Sequence, residues 1–257
     1  MVKKGDKGKE VEELQNLLNQ KGYLVDVDGD FGKKTRDQLI LFQKHKGLYI
    51  DGFAGINTFK ALRHGNKSLN EDDYLRCAAE LRVDIATVKA VESVESGGNG
   101  FNNDGTVKIK FEGHVFWDEI DEITGNPETV TGEGTADLLY PTWTDKFNKQ
   151  NQWDRLRRAM QINEEAALKS ASYGLFQIMG FNHLSCGFPD VKTFVEFNKQ
   201  NEGNQLLLFG RFCLNTGLYK HLQNKDWTAF AKGYNGPGYK KNKYDTKLTS
   251  AYKKFSR

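Results

Sequence analysis

A loop-and-helix unit occurs twice in the N-terminal part of the chain. Residues 28–39 read DGDFGKKTRDQL and residues 51–62 read DGFAGINTFKAL, so Asp, Gly, Gly, Thr and Leu recur at matching positions of the two copies. In each copy the Asp-Gly pair is typical of a tight turn, and the second glycine precedes a helix. An apolar helical stripe comes before the first copy and ends at Gly22. The repeat therefore predicts a compact module of three short helices.

A second domain is expected after a short polar linker. The segment RHGNKSLNEDD follows Leu62 and shows no apolar periodicity, as is typical of a connection between domains. We therefore predict one domain at residues 1–65 and a second at residues 70–257. The predicted fold class is mainly α, with a small three-helix domain followed by an α+β domain that contains one small β-hairpin or sheet.

Composition limits where the chain is expected to work. It has 257 residues, of which 38% are hydrophobic and 28% charged, and no apolar run approaches the length of a membrane span. This pattern predicts a soluble globular protein with no stable membrane insertion. The opening segment MVKKGDKGKEVEEL lacks the apolar core of a signal peptide, and the three widely spaced cysteines form no disulfide pattern. We therefore expect the chain to fold in a reducing cytoplasm. We also expect it to be a monomer.

Residues 90–101, AVESVESGGNGF, place two glutamates close together near the end of a predicted helix. Asp84 is the expected N-cap of this helix. On a helical projection Glu95 lies in the middle of the apolar face, whereas Glu92 lies towards its edge. A carboxyl group that is half-buried beside a glycine break has a raised pKa, which suits a general acid. Glu95 is thus the better catalytic candidate, although a purely structural role stays open.

A short strand is predicted directly downstream of this helix. Residues 103–105, Asn-Asp-Gly, favour a turn, and the residues that follow alternate between an apolar and a polar face. Glu112 lies on the polar face. Glycosidases separate acid and base roles by placing one carboxyl group in an apolar setting and another in a polar one. Glu112 is therefore a candidate second carboxylate.

Two further helices are predicted around residue 172. Residues 163–170 are expected to form one helix, and residues 173–180, YGLFQIMG, are expected to form another. Four aromatic residues upstream offer flat surfaces on which sugar rings can stack, although a core role is equally open for each. They are Tyr140, Trp143, Phe147 and Trp153.

The first domain resembles the peptidoglycan-binding domain found at one end of many cell-wall hydrolases. The likeness is carried by GDKGKEVEELQNLLNQKGY, VDGDFGKKTRDQLILFQKHKGL and IDGFAGINTFKAL, and it covers residues 1–65. It implies that this domain binds peptidoglycan. The turn residues alone do not imply glycan binding, because Asp, Gly and Thr can serve only to build turns.

Residues 70–257 resemble the N-acetylmuramidase domain of modular phage endolysins. The segments AVESVESGGNGF, IKFEGHVF, SASYGLFQIMGFNH and FAKGYNGPGYKKNKYDTKL occur in the order of that family. A more distant likeness to soluble lytic transglycosylases and goose-type lysozymes implies a lysozyme-like fold. The resemblance implies that Glu95 is the catalytic acid and that Glu112 is a second carboxylate. It also implies a substrate cleft lined by Ser172, Gln177, Tyr234 and Asn235.

By this resemblance the chain is expected to be a glycoside hydrolase that needs no cofactor. Its expected partner is bacterial peptidoglycan, in which it cleaves the β-1,4 bond between N-acetylmuramic acid and N-acetylglucosamine. It is expected to wait in the host cytoplasm until it is released to the cell wall. Two alternatives stay open: a lytic transglycosylase acting on the same bond, and a non-catalytic protein that binds the cell wall.

Other classes of function find less support in the sequence. The five histidines form no H-x-x-x-H pair, so no metal site is predicted. A cell-wall peptidase that uses Cys186 and His221 lacks a recognisable nucleophile motif. Residues 232–257 carry eight Lys or Arg against the single acid Asp245, a balance that attracts polyanions. No nucleic-acid recognition module is visible, and we expect no nucleic-acid partner.

Overall fold

Two compact units make up the chain in a computed structural model that describes residues 1–46, 48–64, 67–96, 98–236, 240 and 243–256. The first unit is Met1–Asn70 with Asn103–Gly105, and the second is Glu71–Asn102 with Thr106–Arg257. Within the described ranges, no helix is both long enough and apolar enough to cross a membrane.

Three helices form the first unit, as the repeat predicted. They are α1 (Lys9–Gln20), α2 (Lys33–His45) and α3 (Ile56–His64). Their apolar faces meet in one core, in which Phe31 and Phe42 are among the largest fully buried side chains. The first turn of the repeat leads into α2 and the second leads into α3, so each copy is one turn followed by one helix.

Each turn of the repeat is held by a buried glutamine from the preceding helix. In the first turn, Gln15 of α1 accepts the Gly29 backbone N–H through Oε1 at 2.9 Å. Gln15 Nε2 donates to Asp28 Oδ1 at 2.7 Å and to the Asp30 carbonyl at 3.0 Å. Gly29 has a φ of +68°, a conformation that favours glycine. The Asp and Gly residues of this turn therefore have a structural role.

The second turn repeats this arrangement with the same donors and acceptors. Gln43 of α2 accepts the Gly52 N–H at 3.0 Å and donates to Asp51 Oδ1 at 2.9 Å and to the Phe53 carbonyl at 3.0 Å. Both glutamines are only 1% exposed. The repeat did not predict them, because Gln15 and Gln43 precede their aspartates by different distances along the chain. The two turns therefore have the same hydrogen-bond arrangement, although the spacing between the glutamine and the turn differs in the sequence.

The second unit is mainly helical. Its helices are α4 (Glu71–Leu81), α5 (Ile85–Glu95), α6 (Gly113–Thr124), α7 (Gln152–Ile162), α8 (Glu164–Lys169), α9 (Val191–Asn198), α10 (Glu202–Asn215), α11 (Tyr219–Gln223), α12 (Trp227–Asn235) and α13 (Tyr244–Phe255), with short 3-10 helices at Pro127–Val130 and Gly180–Asn182. Helix α8 confirms the helix predicted for residues 163–170. Helix α10 is buried throughout its N-terminal part, and α13 packs against α5 and α12. The last helix of the chain therefore supports the helix that carries Glu95.

A three-stranded antiparallel sheet completes the second unit, with the strand order β1-β2-β3. The strands are β1 (Ile109–Phe111), β2 (Ala171–Tyr173) and β3 (Ile178–Met179). Lys110 lies opposite Ser172. The alternation predicted for β1 is confirmed, since Ile109 and Phe111 are buried and Lys110 is partly exposed. The predicted fold class, mainly α with one small sheet, is confirmed as well.

Residues 173–180 form part of a β-hairpin, so the helix predicted there is wrong. The turn between β2 and β3 has a positive φ at Gly174 (+71°) and at Gln177 (+49°), which a right-handed helix does not allow. A Cβ atom added to Gly174 would lie 2.5 Å from Gln205 Cδ. Gln205 Oε1 also accepts the Leu175 N–H at 2.8 Å. A buried glutamine of α10 thus determines this turn, and the local apolar pattern carries no sign of it.

Replacing Gln15 by Leu should destabilise the first unit by about 1–3 kcal/mol, because Gly29 and Asp28 would lose a buried hydrogen-bond partner. Hydrogen exchange of the full chain, read by mass spectrometry, should show faster exchange for the amides of residues 26–36. Asn16→Leu is the matched control, since Asn16 lies on the same helix but is exposed. Equal exchange in Gln15→Leu and the wild-type protein would contradict the role given to Gln15.

Candidate active site

Glu95 is the last residue of α5, and its side chain is half-buried. The predicted N-cap is confirmed: the Asp84 carboxylate accepts the Thr87 N–H at 2.7 Å and so determines where the helix begins. The helix runs for 11 residues, and Ser96 then adopts extended backbone. Gly97, the first glycine of the break predicted after this helix, lies outside the described residues. The Glu95 carboxyl group therefore lies at the C-terminal end of α5.

The Glu95 carboxyl group is held by the side-chain amide of Asn235. Asn235 Nδ2 donates to Glu95 Oε1 at 3.0 Å and to Oε2 at 3.2 Å. Asn235 is itself the last residue of α12, and Gly236 follows it with a φ of +69°. Residues 237–239 lie outside the described part of the chain. The C-terminal ends of two helices thus meet at this carboxyl group.

Burial raises the pKa of Glu95 to about 7, well above the ordinary value of 4.5. The hydrogen bonds from Asn235 and the charge of Lys247 favour the anion and partly offset the effect of burial. The partial negative charge at the ends of α5 and α12 also disfavours an ionised carboxylate. At neutral pH the protonated and the ionised forms of Glu95 are therefore both populated, which is what a general acid requires.

Glu92 makes a different set of contacts. The Tyr74 hydroxyl donates to Glu92 Oε2 at 3.3 Å, and the Ser96 hydroxyl donates to Oε1 at 3.0 Å. Tyr74 belongs to α4, so Glu92 joins two helices of the second unit. These contacts favour a supporting role for Glu92 and leave Glu95 as the candidate acid.

A cavity of about 270 Å³ is lined in part by Asn235, the residue that binds the Glu95 carboxyl group. Its lining includes Gln177, Tyr234 and Asn235, which are three of the four residues expected to bind substrate. The fourth, Ser172, donates to Gln177 Oε1 at 2.9 Å. Because Asn235 also binds Glu95, one of these residues connects the wall of the cavity to the candidate acid. Lining residues that the sequence did not single out are Phe176, Ile178, Met179, Asn182 and Phe212.

Hydrogen bonds within the protein hold the walls of this cavity. Gln177 Nε2 donates to the Gly174 carbonyl at 2.8 Å. The positive φ of Gln177 is uncommon for a residue with a side chain, and such conformations are concentrated at functional sites. The Tyr234 hydroxyl donates to the Phe176 carbonyl at 3.2 Å, and its ring packs against Phe209 with 5.5 Å between centroids. Tyr234 therefore ties the loop that carries Gln177 to α12.

Glu112 lies between β1 and α6, in a setting with more charge than that of Glu95. Its Oε1 atom lies 2.5 Å from Lys110 Nζ, and its Oε2 atom lies 3.7 Å from His114 Nδ1. The Glu112 backbone N–H donates to the Ser170 carbonyl at 2.9 Å. Because Lys110 is paired with Ser172 in the sheet, Glu112 is anchored beside the strand that carries a predicted substrate contact.

The four aromatic residues expected as stacking surfaces have different environments. Tyr140 and Phe147 pack against each other, with 5.3 Å between ring centroids. Trp153 Nε1 donates to the Val107 carbonyl at 2.8 Å, so its indole helps to hold the chain next to β1. Trp143 is 62% exposed. Of these four, Trp143 has the ring that is most open to a ligand.

Cys186 is not suited to act as a nucleophile. It is fully buried, and burial raises the pKa of its thiol to about 12, so the thiol stays protonated at neutral pH. The peptidase alternative therefore has no reactive cysteine at this position. In the described part of the chain, no three His, Cys, Asp or Glu side chains converge as the ligands of a metal ion would.

Family models and a solved structure match this chain. The N-acetylmuramidase family model matches residues 84–256, and the model of a peptidoglycan binding domain matches residues 7–62. The crystal structure of Burkholderia AP3 phage endolysin is 36% identical in sequence, with 100% of this chain and 99% of that chain covered and a TM-score of 0.71. The first match includes the candidate acid, the cavity and the sheet. The chain therefore belongs to the N-acetylmuramidase family, with a peptidoglycan-binding domain ahead of its muramidase domain.

Proposed function

We propose that the protein is an endolysin that hydrolyses the β-1,4 bond between N-acetylmuramic acid and N-acetylglucosamine in bacterial peptidoglycan. The observation that carries this proposal is the half-buried Glu95 carboxyl group, whose pKa of about 7 suits a general acid and which lies beside a cavity. The match to the N-acetylmuramidase family supports peptidoglycan as the substrate, and the likeness to the AP3 phage endolysin supports the role of an endolysin.

In this proposal the two domains have different functions. Residues 1–65 bind the cell wall, in line with the peptidoglycan binding domain match at residues 7–62. Residues 70–257 carry the chemistry. The protein acts as a monomer and remains in the host cytoplasm until a membrane pore made by another protein lets it reach the wall.

Glu95 is proposed to donate its proton to the bridging oxygen as the bond between that oxygen and the sugar carbon breaks. Positive charge then develops on the sugar ring, and water attacks the same carbon and gives up a proton. The Asn235 amide orients the carboxyl group, because it donates to both of its oxygens. Gln177, which lines the cavity, contacts the sugar, and so does Ser172, which donates a hydrogen bond to Gln177.

Glu112 is proposed as the second carboxylate of the reaction. Its ion pair with Lys110 holds it in place next to the sheet. Two roles are consistent with this setting: activation of the attacking water, and stabilisation of the positive charge on the sugar by a nearby anion.

Lytic transglycosylation is the alternative chemistry at the same site. In that reaction the C6 hydroxyl of N-acetylmuramic acid replaces water, and the product carries a 1,6-anhydro ring. Mass spectrometry of digested glycan separates the two reactions. Hydrolysis gives reducing N-acetylmuramic acid ends, and anhydro ends in their place would overturn this part of the proposal. A non-catalytic wall-binding protein would release no soluble fragments at all.

Glu95→Gln should lower the rate of wall lysis at least about 10²-fold, because Gln keeps the shape of the side chain but has no proton to donate at neutral pH. The decrease in turbidity of purified sacculi measures the rate, and circular dichroism checks that the variant folds. Glu92→Gln is the matched control on the same helix and should cost far less. Loss of activity in the control with near-normal activity in Glu95→Gln would show that the wrong glutamate has been chosen.

Activity should fall as the pH rises through about 7, because the ionised form of Glu95 cannot act as an acid. Asn235→Ala removes hydrogen bonds that favour the anion, so it should raise the pKa of Glu95 and move this descending limb to higher pH. The profile of kcat/KM against pH on a soluble glycan fragment measures the shift. Asn182→Ala, at another position in the same cavity, is the control and should leave the limb in place. A limb that does not move in Asn235→Ala would contradict the assignment.

Glu112→Gln should slow the chemical step, since an anion near the developing positive charge is lost. The fall in kcat should be larger than that caused by Glu92→Gln. It should be no larger than that caused by Glu95→Gln. Glu122→Gln is the matched control, because Glu122 lies on the exposed side of α6. Equal kcat values in Glu112→Gln and the control would remove Glu112 from the proposed mechanism.

A further inference from the structure

The two turns of the N-terminal repeat share one backbone arrangement but differ in what they expose. Gln15 and Gln43 bind their turns through the same atoms, and Gly29 and Gly52 have φ values of +68° and +70°. Residues at matching positions of the repeat are therefore structurally equivalent between the two turns. One turn thus serves as an internal reference for the other.

Three equivalent pairs change from charged to apolar between the first turn and the second. Asp26, Asp30 and Lys33 in the first turn correspond to Tyr49, Phe53 and Ile56 in the second. The three residues of the second turn remain exposed to solvent, although they have replaced charged ones. Tyr49 is 84% exposed, Phe53 is 40% exposed and Ile56 is 73% exposed. We call these three residues the 49–56 patch.

The structure of the module does not require this patch. The first turn folds on the same backbone with charged residues at the three positions, and its Asp30 forms an ion pair with Lys7 at 2.7 Å. Val27 and Ile50 form an equivalent pair that is apolar and exposed in both turns, so this pair does not distinguish them. Tyr49, Phe53 and Ile56 lie within one segment of eight residues, and exposed apolar side chains that group on a surface mark interaction sites.

The chemistry of the patch fits an N-acetylated sugar strand. Aromatic rings such as those of Tyr49 and Phe53 offer flat faces for the C–H groups of a pyranose ring. Ile56 offers an aliphatic contact for an N-acetyl methyl group. The patch itself carries no charge, which matches the neutral sugar rings of peptidoglycan better than its charged peptide stems. The match of residues 7–62 to a peptidoglycan binding domain points to the same polymer.

We propose that the 49–56 patch is the surface by which the first unit binds the glycan strand of peptidoglycan, whereas the first turn of the repeat has only a structural role. This inference rests on the proposed function, in which residues 1–65 bind the wall. Binding through the patch keeps the catalytic unit at a high local concentration of its substrate. Loss of the patch should therefore weaken action on the wall without changing the chemistry.

The test compares two triple variants of the full chain, each in a Glu95→Gln background so that the wall stays intact. The patch variant is Tyr49→Ser, Phe53→Ser, Ile56→Ser, and the matched control is Asp26→Ser, Asp30→Ser, Lys33→Ser. Co-sedimentation with purified sacculi should show binding that is weaker by about tenfold or more in the patch variant, since a few central contacts, often aromatic, carry most of the binding energy of an interface. Binding by the control should be close to that of the chain that carries Glu95→Gln alone. Hydrogen exchange of residues 26–36 shows whether each variant keeps its fold.

A soluble probe separates the sugar strand from the peptide. Chitotetraose, an uncharged chain of N-acetylglucosamine, should slow hydrogen exchange in residues 48–57 of the full chain, and it should not do so in the patch variant. With the Glu95 side chain restored, the patch variant should lyse sacculi more slowly than the control variant.

Three results would overturn the inference. Equal sedimentation of the patch variant and the control would show that the patch does not bind the wall. Protection by a free stem peptide in place of chitotetraose would assign the patch to the peptide. Concentration-dependent dimers that the patch variant abolishes would make the patch a contact between copies of the chain. If the chain that carries Glu95→Gln alone fails to sediment with sacculi, the wall-binding role of residues 1–65 fails. If that chain sediments and the patch variant sediments as well as the control, the patch assignment fails but the wall-binding role stands.

Discussion

A single carboxyl group, that of Glu95, lies where the C-terminal ends of two helices meet and is kept partly out of water. Burial raises its pKa to about 7, and the Asn235 amide holds both of its oxygens. The surrounding helices maintain this position, since α13 packs against both α5 and α12. Ordinary helix packing thus produces a group that can be protonated or ionised at neutral pH. The proposed chemistry of the adjoining cavity depends on that balance.

Buried glutamines determine three of the turns that matter in this protein. Gln15 and Gln43 hold the two turns of the first unit, and Gln205 holds the hairpin turn that leads to Gln177. A glutamine can accept one backbone N–H and donate to nearby oxygens at the same time, so it satisfies several polar groups that would otherwise be buried without partners. In the first unit this leaves the exposed positions of each turn free to vary, and the two turns differ at those positions.

Local patterns predicted some elements of the second unit correctly and one wrongly. Helix α8 and the alternation of β1 follow from side-chain periodicity, and both are present. Residues 173–180 have an apolar pattern compatible with a helix, yet they form a hairpin. That outcome depends on β1, which lies far earlier in the chain and pairs with β2, and on Gln205, which occupies the space beside Gly174. Neither partner is visible from the segment itself.

The sequence by itself determined the three helices of the first domain, the bounds of α5 and the place of Glu95 on the apolar face of that helix. Turn residues, N-caps and helical periodicity depend on neighbours along the chain, so they can be read locally. Only the tertiary structure decided that Asn235, from a distant part of the chain, binds Glu95, that Lys110 pairs with Glu112, and that the Cys186 thiol is buried. The pKa of a carboxyl group depends on the water and charges around it, and distant segments supply those surroundings only when the whole unit packs.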